Sequence, residues 1–249
     1  MWIKPNVSFD AELECLELLI ASESVLLWEN HDLAYTPEQP WGCYTEFGKI
    51  HDSEVDRYTY QSDYLLDKYQ VNGDLWSRDV FEDRYQAART NGRFRAAYAV
   101  DGWLCTHAGV SPGVADIIPP EIISSGASSI ADWLDEEFQR EFRIPVNKAN
   151  NGRQPRLGLG PLFQIHRCRF GDDPFGGIFW FDPIGEMTDP SPLVGKQIYG
   201  YTPVPYPEIG EYWVNLNAFE EDGIWVFDTQ ENRLIEISSG ENIPVGVPA

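Results

Sequence analysis

The sequence predicts a mixed fold of α-helices and β-strands, in the α+β or α/β class, from three observations. The apolar residues of segment 129–142 fall on one helical stripe, which comprises Ile130, Trp133, Leu134 and Phe138. The last ninety or so residues instead alternate between apolar and polar side chains in short segments, a pattern typical of strands. Short polar clusters follow several predicted strands, at the position where open α/β sheets bind ligands.

The first half of the chain predicts two further helices and three strands. The helices are expected at residues 10–22, with Ser8 as N-cap, and at 79–90, where Asn91 and Gly92 form a C-cap signal. The strands are expected at 24–28, 94–100 and 103–106, the last two joined by a turn at Asp101 and Gly102. Between them, residues 33–77 resemble an aromatic-rich insertion that carries a helix around 56–69.

The second half predicts a loop followed by strands. Residues 144–161 are rich in Asn, Gly and Pro and are expected to form the loop. Strands are expected at 178–181, 197–199, 212–216, 224–227 and 234–237, the last two as a hairpin. No repeat or low-complexity segment interrupts the pattern. We therefore interpret residues 1–249 as one domain that contains the insertion at 33–77.

Composition excludes several classes of function. Of the 249 residues, 43% are hydrophobic and 14% aromatic, which excludes a disordered chain. The formal net charge of −22 argues against binding to nucleic acids or to anionic membranes. No apolar run approaches the roughly 20 residues that a membrane-spanning helix needs.

The cysteines and the start of the chain predict a cytoplasmic location. The four cysteines are scattered without a CxxC pair, and the first residues, MWIKPNVSFD, lack the apolar core of a signal peptide. We expect reduced thiols in a reducing compartment.

Three stretches place polar groups directly after predicted strands. LLWENHDLAY begins at Leu26, LCTHAGVSP begins at Leu104, and QIYGYTPV begins at Gln197. In this order they resemble motifs of the calcineurin-like metallophosphoesterase family, in particular its branch of bacterial phosphoprotein phosphatases and diadenosine tetraphosphatases. That family carries GDxHG, GDxxDR, GNH(D/E), HxGxxP and GHTP at strand ends. The three stretches resemble its third, fourth and fifth motifs, and GGIFWFDP also resembles the family.

The resemblance implies a fold and a set of residue roles. The fold would be an α/β/β/α sandwich of two mixed sheets, and an active site would hold two divalent metals such as Mn or Fe, which generate a hydroxide nucleophile. Asn30 and His107 would be metal ligands. His31 and Asp32 would be the catalytic positions, with His31 as the general acid and Asp32 closing the loop.

The sequence also departs from the family. GDxHG and GDxxDR, which supply the first metal's ligands and the bridging Asp, are absent. The pairs Gly73–Asp74 and Gly171–Asp172 come after the third motif, in the wrong order to replace them. Glu29 stands where the family has Gly, and Tyr201 stands where it has the His of GHTP. We therefore expect a sandwich that is incomplete at its N-terminal side, and no metal bound by this chain alone.

Two classes of function stay open at this point. The first is a non-catalytic binding or assembly protein on the phosphatase scaffold, in which a protein partner, a self-dimer or the rearranged segment 2–7 covers the missing strands. The second is a metal-dependent phosphoester hydrolase, acting on phosphoproteins or nucleotides, that another chain or an upstream segment completes. The presence of Tyr201 and Glu29 in place of the family's residues favours the first, and whether the chain is an enzyme stays undecided.

Two smaller hypotheses concern individual residues. A single-metal site from Glu29, Asn30, His107 and Tyr201 is an alternative to the lost binuclear centre. In IHRCRF, His166, Arg167 and Arg169 are candidate phosphate-binding residues, and the planar guanidinium group of Arg suits the paired recognition of phosphate oxygens. The alternative for these residues is an ion pair with Asp172, Asp173 or another neighbour.

Overall fold

The computed structural model describes residues 9–35, 77–143, 160–218, 224–237 and 239–244. These residues form helices and both parallel and antiparallel strand pairs, so the fold is mixed α and β, as the sequence predicts. The chain divides into two compact units, of which the first comprises residues 1–95 and 145–157 and the second residues 96–144 and 158–249. The single-domain interpretation stays a prediction, and residues 36–76 of the proposed insertion lie outside the described residues.

The first unit contains the two helices that periodicity predicts. Helix α1 spans Phe9–Ala21 and helix α2 spans Ser77–Thr90. Strand β1 is limited to Leu26–Leu27 and pairs in parallel with β2, Phe94–Arg95. Ser8, the predicted N-cap of α1, lies outside the described residues.

Three aromatic rings hold the first unit together. The Trp28 and Phe94 rings stack with 4.4 Å between centroids, and the Tyr85 ring lies 5.8 Å from Trp28 and 5.4 Å from Phe94. All three side chains are buried, and they come from the residue after β1, from α2 and from β2. The cluster therefore fixes the loop after β1 against α2.

The second unit is built on a five-stranded mixed sheet. Its strands are β3 (Ala97–Val100), β4 (Trp103–Thr106), β5 (Gln197–Tyr199), β6 (Glu208–Ile209) and β7 (Trp213–Asn215), in the spatial order β3-β4-β5-β7-β6. The central pairs β4–β5 and β5–β7 are parallel, and the outer pairs are antiparallel. The helices of this unit are α3 (Pro112–Ala115), α4 (Pro120–Ser124), α5 (Ala127–Arg143) and α6 (Pro183–Glu186).

The predicted turn between the strands at 97–106 is confirmed. Asp101 has a φ of 48° and Gly102 a φ of 80°, so both central residues are left-handed, as a tight hairpin between twisted strands requires. The predicted strand 94–100 is divided, however. The amide of Ala96 donates to Oδ1 of Asp135 on α5 at 2.8 Å, so this residue leaves the strand hydrogen-bonding pattern.

Segment 178–181, predicted as a strand, is instead a buried turn. The amides of Trp180 and Phe181 both donate to the carbonyl of Gly177, at 2.9 and 2.8 Å. The Phe179 ring stacks on Phe163 at 5.1 Å and lies 5.6 Å from Phe138 of α5. An apolar run signals burial, which a packed turn satisfies as well as a strand does.

A second, antiparallel sheet packs against the first within this unit. Strands β8 (Trp225–Asp228), β9 (Arg233–Glu236) and β10 (Asn242–Pro244) form it, and the predicted hairpin at 224–237 is confirmed. Leu234 joins Trp103 and Val214 of the larger sheet in one buried cluster. The Phe227 ring meets Trp103 edge-on at 4.9 Å.

Within the described ranges, no helix combines the length and apolarity needed to cross a membrane. Cys15, Cys105 and Cys168 are free thiols, and Cys43 lies outside the described residues.

Candidate functional site

The loops of LCTHAGVSP and QIYGYTPV, which resemble the family's fourth and fifth motifs, lie side by side. Strands β4 and β5 are parallel neighbours, so the loops after Thr106 and after Tyr199 leave the same edge of the sheet. The amide of Gly200 donates to the carbonyl of His107 at 2.9 Å, which joins the two loops directly. Two stretches that are far apart in sequence are thus in contact at the carboxyl ends of β4 and β5.

The sequence of the HAGVSP loop explains its shape. The amide of Gly109 donates to Oγ1 of Thr106 at 3.0 Å, and the amide of Val110 donates to Oε1 of the buried Gln197 at 2.9 Å. Gly109 has a φ of 88°, a left-handed conformation that glycine adopts without a steric penalty. These contacts place His107 at the start of a rigid loop.

Tyr201 is surrounded by rings and by a cation. Its ring lies 5.2 Å from the His107 imidazole and 6.0 Å from the Trp180 indole, both edge-on. The Arg169 guanidinium lies over the Tyr201 ring, 5.0 Å from the centroid, in a cation–π contact. One imidazole, a phenol and a guanidinium do not fit a centre of two divalent metals, because bridged dications need carboxylates.

Asp182 holds the residues around Tyr201 in place. Its buried carboxylate accepts hydrogen bonds from Nε of Arg169 at 2.8 Å, from Oγ1 of Thr202 at 3.1 Å and from the amide of Gly185 at 3.0 Å. Arg169 therefore has the ion pair that the sequence left as an alternative to phosphate binding. Arg167, the second candidate phosphate-binding residue, is exposed.

The polar residues of LLWENHDLAY, the stretch that resembles the family's third motif, lie in the first unit, after β1. Asn30 is only 2% exposed, and Glu29, His31 and Asp32 are partly buried. The Tyr85 hydroxyl donates to Oδ1 of Asp32 at 2.5 Å. Helix α2 thus fixes the carboxyl group that follows the candidate general acid.

Burial shifts both titratable groups of this loop towards their neutral forms. Desolvation, reinforced by the charge of Glu29, raises the pKa of Asp32 to about 7 against the opposing hydrogen bond from Tyr85. Desolvation lowers the pKa of His31, and Glu29 opposes that shift. At neutral pH the loop therefore carries an uncharged imidazole beside a carboxyl group that is close to its titration midpoint.

The structure brings some of the predicted site residues together. His107 and Tyr201 are in ring contact in the second unit, where Arg169 also contacts Tyr201. Glu29, Asn30, His31 and Asp32 belong to the first unit. The single-metal alternative draws on residues of both units and stays a prediction.

Three residues that contact the candidate site residues or hold them in place were not identified from the sequence. Tyr85 gave no signal, because it lies within an ordinary amphipathic helix. Trp180 lies in a segment predicted as a strand. Asp182 did have a signal, since an Asp followed by Pro183 is a typical N-cap and first residue of a helix, here α6.

Comparison with known proteins yields little. No family model matches the chain, and no solved structure matches it. A stretch of 148 residues is 26% identical to the pyrophosphate–fructose 6-phosphate 1-phosphotransferase of Amycolatopsis methanolica. The match covers 57% of this chain and 42% of that protein, so the chain spans less than half the length of this curated relative. A match of this extent and identity does not establish a family.

The raised pKa of Asp32 predicts a pH dependence of stability. Between about pH 4 and pH 7 the unfolded chain releases this proton while the folded chain retains it. As the pH rises through this window, the free energy of unfolding of wild type should therefore fall relative to that of Asp32→Asn, by about 1.4 kcal/mol per pH unit. Urea unfolding of both proteins at about pH 4.5 and about pH 6.5, two values chosen inside the window, measures the difference.

Asp116→Asn is the matched control, because Asp116 is an exposed carboxylate of the second unit. Its stability difference from wild type, measured at the same two pH values, is the reference for the loss of one exposed carboxyl group. In Asp32→Asn the new amide oxygen can still accept the Tyr85 hydrogen bond, so the comparison isolates the charge. Parallel pH curves for wild type and Asp32→Asn would contradict the raised pKa.

The ion pair of Arg169 with Asp182 predicts a stability loss that a second substitution reverses. The Asp182 side chain is 9% exposed, so Arg169→Met leaves a buried carboxylate without its cation. We expect the free energy of unfolding to fall by about 2–4 kcal/mol, because the pair is only partly buried. Adding Asp182→Asn should restore most of the loss, since the amide oxygen still accepts from Gly185. A double variant no more stable than Arg169→Met would show that the charge is not the cause.

Proposed function

We propose that this chain is a degenerate metallophosphoesterase-like protein that uses the phosphatase scaffold for binding or assembly rather than for catalysis. The fold that goes with this proposal is the family's α/β/β/α sandwich, incomplete at its N-terminal side. The observation that carries the proposal is the environment of Tyr201. By the resemblance, this residue takes the position of the His in the family's GHTP motif. Its ring contacts the rings of His107 and Trp180 and the guanidinium of Arg169.

The arrangement of the motif loops supports kinship with the family. HAGVSP and GYTP follow adjacent parallel strands and share the hydrogen bond from Gly200 to His107. Two motifs about ninety residues apart in sequence would meet in this way if both once contributed to one site. The smaller antiparallel sheet packed on the mixed sheet also agrees with a two-sheet fold.

The contacts of Tyr201 support the loss of the metal centre. The Arg169 guanidinium occupies the space over the ring and is itself fixed by Asp182. A guanidinium has N–H donors but no lone pair for a metal, so it cannot replace the ligand that the family has here. The same group of aromatic rings and a guanidinium is suited to planar or anionic groups of a binding partner.

A phosphatase assay tests the proposal. Wild type, His107→Ala and Tyr201→Phe are compared for hydrolysis of p-nitrophenyl phosphate with added Mn²⁺. We expect all three to equal the rate of the buffer blank, because the bridging carboxylate of the family is missing. Mn²⁺-dependent turnover by wild type that is lost in His107→Ala would overturn the proposal in favour of the hydrolase.

The partner in this proposal is a second copy of the chain. Within the described residues, the edge of β1 opposite β2 has no strand paired to it, and an open strand edge is a template for pairing with another chain. Light scattering should therefore give a mass near twice the 28.4 kDa of the chain. A monomeric mass at every concentration tested would contradict the self-dimer. The segment 2–7, the other predicted cover, lies outside the described residues.

A further inference from the structure

Three side chains of different chemistry converge on one point of the second unit, apart from the motif loops. His166 and Cys168 lie at the turn 166–169, and Glu186 is the last residue of α6. One ligand atom from each of the three lies within 4.8 Å of the others, and all three side chains are partly buried. We propose that His166, Cys168 and Glu186 form a binding site for Zn²⁺ or a similar borderline-soft divalent metal.

The spacing of the first two donors fits zinc. Nδ1 of His166 lies 3.1 Å from Sγ of Cys168. A tetrahedral zinc with bonds of about 2.0–2.1 Å to nitrogen and about 2.3 Å to sulfur holds these atoms about 3.5 Å apart. Metal binding therefore requires them to separate by only a few tenths of an ångström. Nδ1 accepts a hydrogen bond from the amide of Cys168 at 3.3 Å, so it is the unprotonated ring nitrogen, and a metal bound there takes the place of this hydrogen bond.

The third donor is held in place by the backbone. Oε1 of Glu186 accepts hydrogen bonds from the amides of Gly176 and Asp182, both at 3.1 Å. Fixed carboxylates of this kind lose little freedom when they bind a metal. The close approach of α6 to the turn also depends on Gly185, since a Cβ there would lie 2.9 Å from Sγ of Cys168.

The charges also balance for a divalent ion. When the metal binds, the Cys168 thiol releases its proton to water. The resulting thiolate and the carboxylate of Glu186 neutralise two positive charges, and the imidazole adds a neutral donor. The charge of the nearby Asp182 is already compensated by Arg169. Sulfur and nitrogen donors select zinc over Mg²⁺ or Ca²⁺, and three protein ligands leave the fourth position of a tetrahedral site open. The site thus differs in donors from the centre that the family resemblance implies.

Metal titration of the full chain tests this site. Metal-free protein is titrated with Co²⁺, and the thiolate-to-cobalt charge-transfer absorption is recorded. Zinc affinity is then measured by competition with a chromophoric chelator. We expect one equivalent of metal and a thiolate band. In Cys168→Ser the band should disappear, and zinc affinity should fall by more than the roughly 10–100-fold that loss of an outer-sphere partner costs.

Two further variants keep the result interpretable. Cys15→Ser removes an exposed thiol of the first unit and should leave band and affinity unchanged. Glu186→Gln keeps an oxygen acceptor for the amides of Gly176 and Asp182 while removing the charge, and should weaken zinc binding without loss of fold by circular dichroism.

A further variant distinguishes zinc binding at this site from the proposed loss of phosphatase activity. His107→Ala should bind zinc as wild type does, because His107 is not one of the three donors. A folded wild type without a thiolate band, or a Cys168→Ser variant that binds zinc as wild type does, overturns the proposal.

Discussion

The carboxylate of Asp182 is the constraint on which the arrangement around Tyr201 depends. It binds Arg169 from one turn, Thr202 from the loop after β5, and the Gly185 amide of α6. Moving a carboxylate from water into the protein interior costs free energy. The hydrogen bonds from Arg169, Thr202 and Gly185 offset that cost only when the three segments that carry them are in place. Because Arg169 is held in this way, its guanidinium is available to the Tyr201 ring. The backbone amide of Asp182 also fixes Glu186, so both proposed sites rest on this residue.

Much of the fold could be predicted from the sequence, because the elements concerned are locally encoded. The stripe on α5 and the left-handed pair at Asp101 and Gly102 depend only on neighbours in sequence. Segment 178–181 could not be assigned correctly, because its conformation depends on a distant contact. A Cβ on Gly177 would lie 2.1 Å from the carbonyl oxygen of Leu162, so the turn exists only where that backbone packs against it.

For the candidate site, the sequence showed where the loops lie but not which residues contact them. Polar residues after strands identified the loops at His31, His107 and Tyr201, since strand ends are visible as changes in residue pattern. Their partners were not visible, because they are far apart in sequence. Tyr85 lies 53 residues from Asp32, and no local pattern marks the hydrogen bond that joins them. The environment that shifts the pKa of Asp32 is a tertiary property, and the sequence shows only that the residue can titrate.

The parallel core of the second unit has a consequence for how the chain reaches its folded state. Leu104 of β4 pairs with Gln197 of β5, so the central strands meet only after a loop of about ninety residues has closed. The β3–β4 hairpin and α5 involve near neighbours and can form early. Until β5 arrives, the inner edge of β4 has open hydrogen-bonding groups, and domains dominated by such distant pairing fold slowly. While this edge is open, the partly formed sheet can therefore pair with other chains and aggregate.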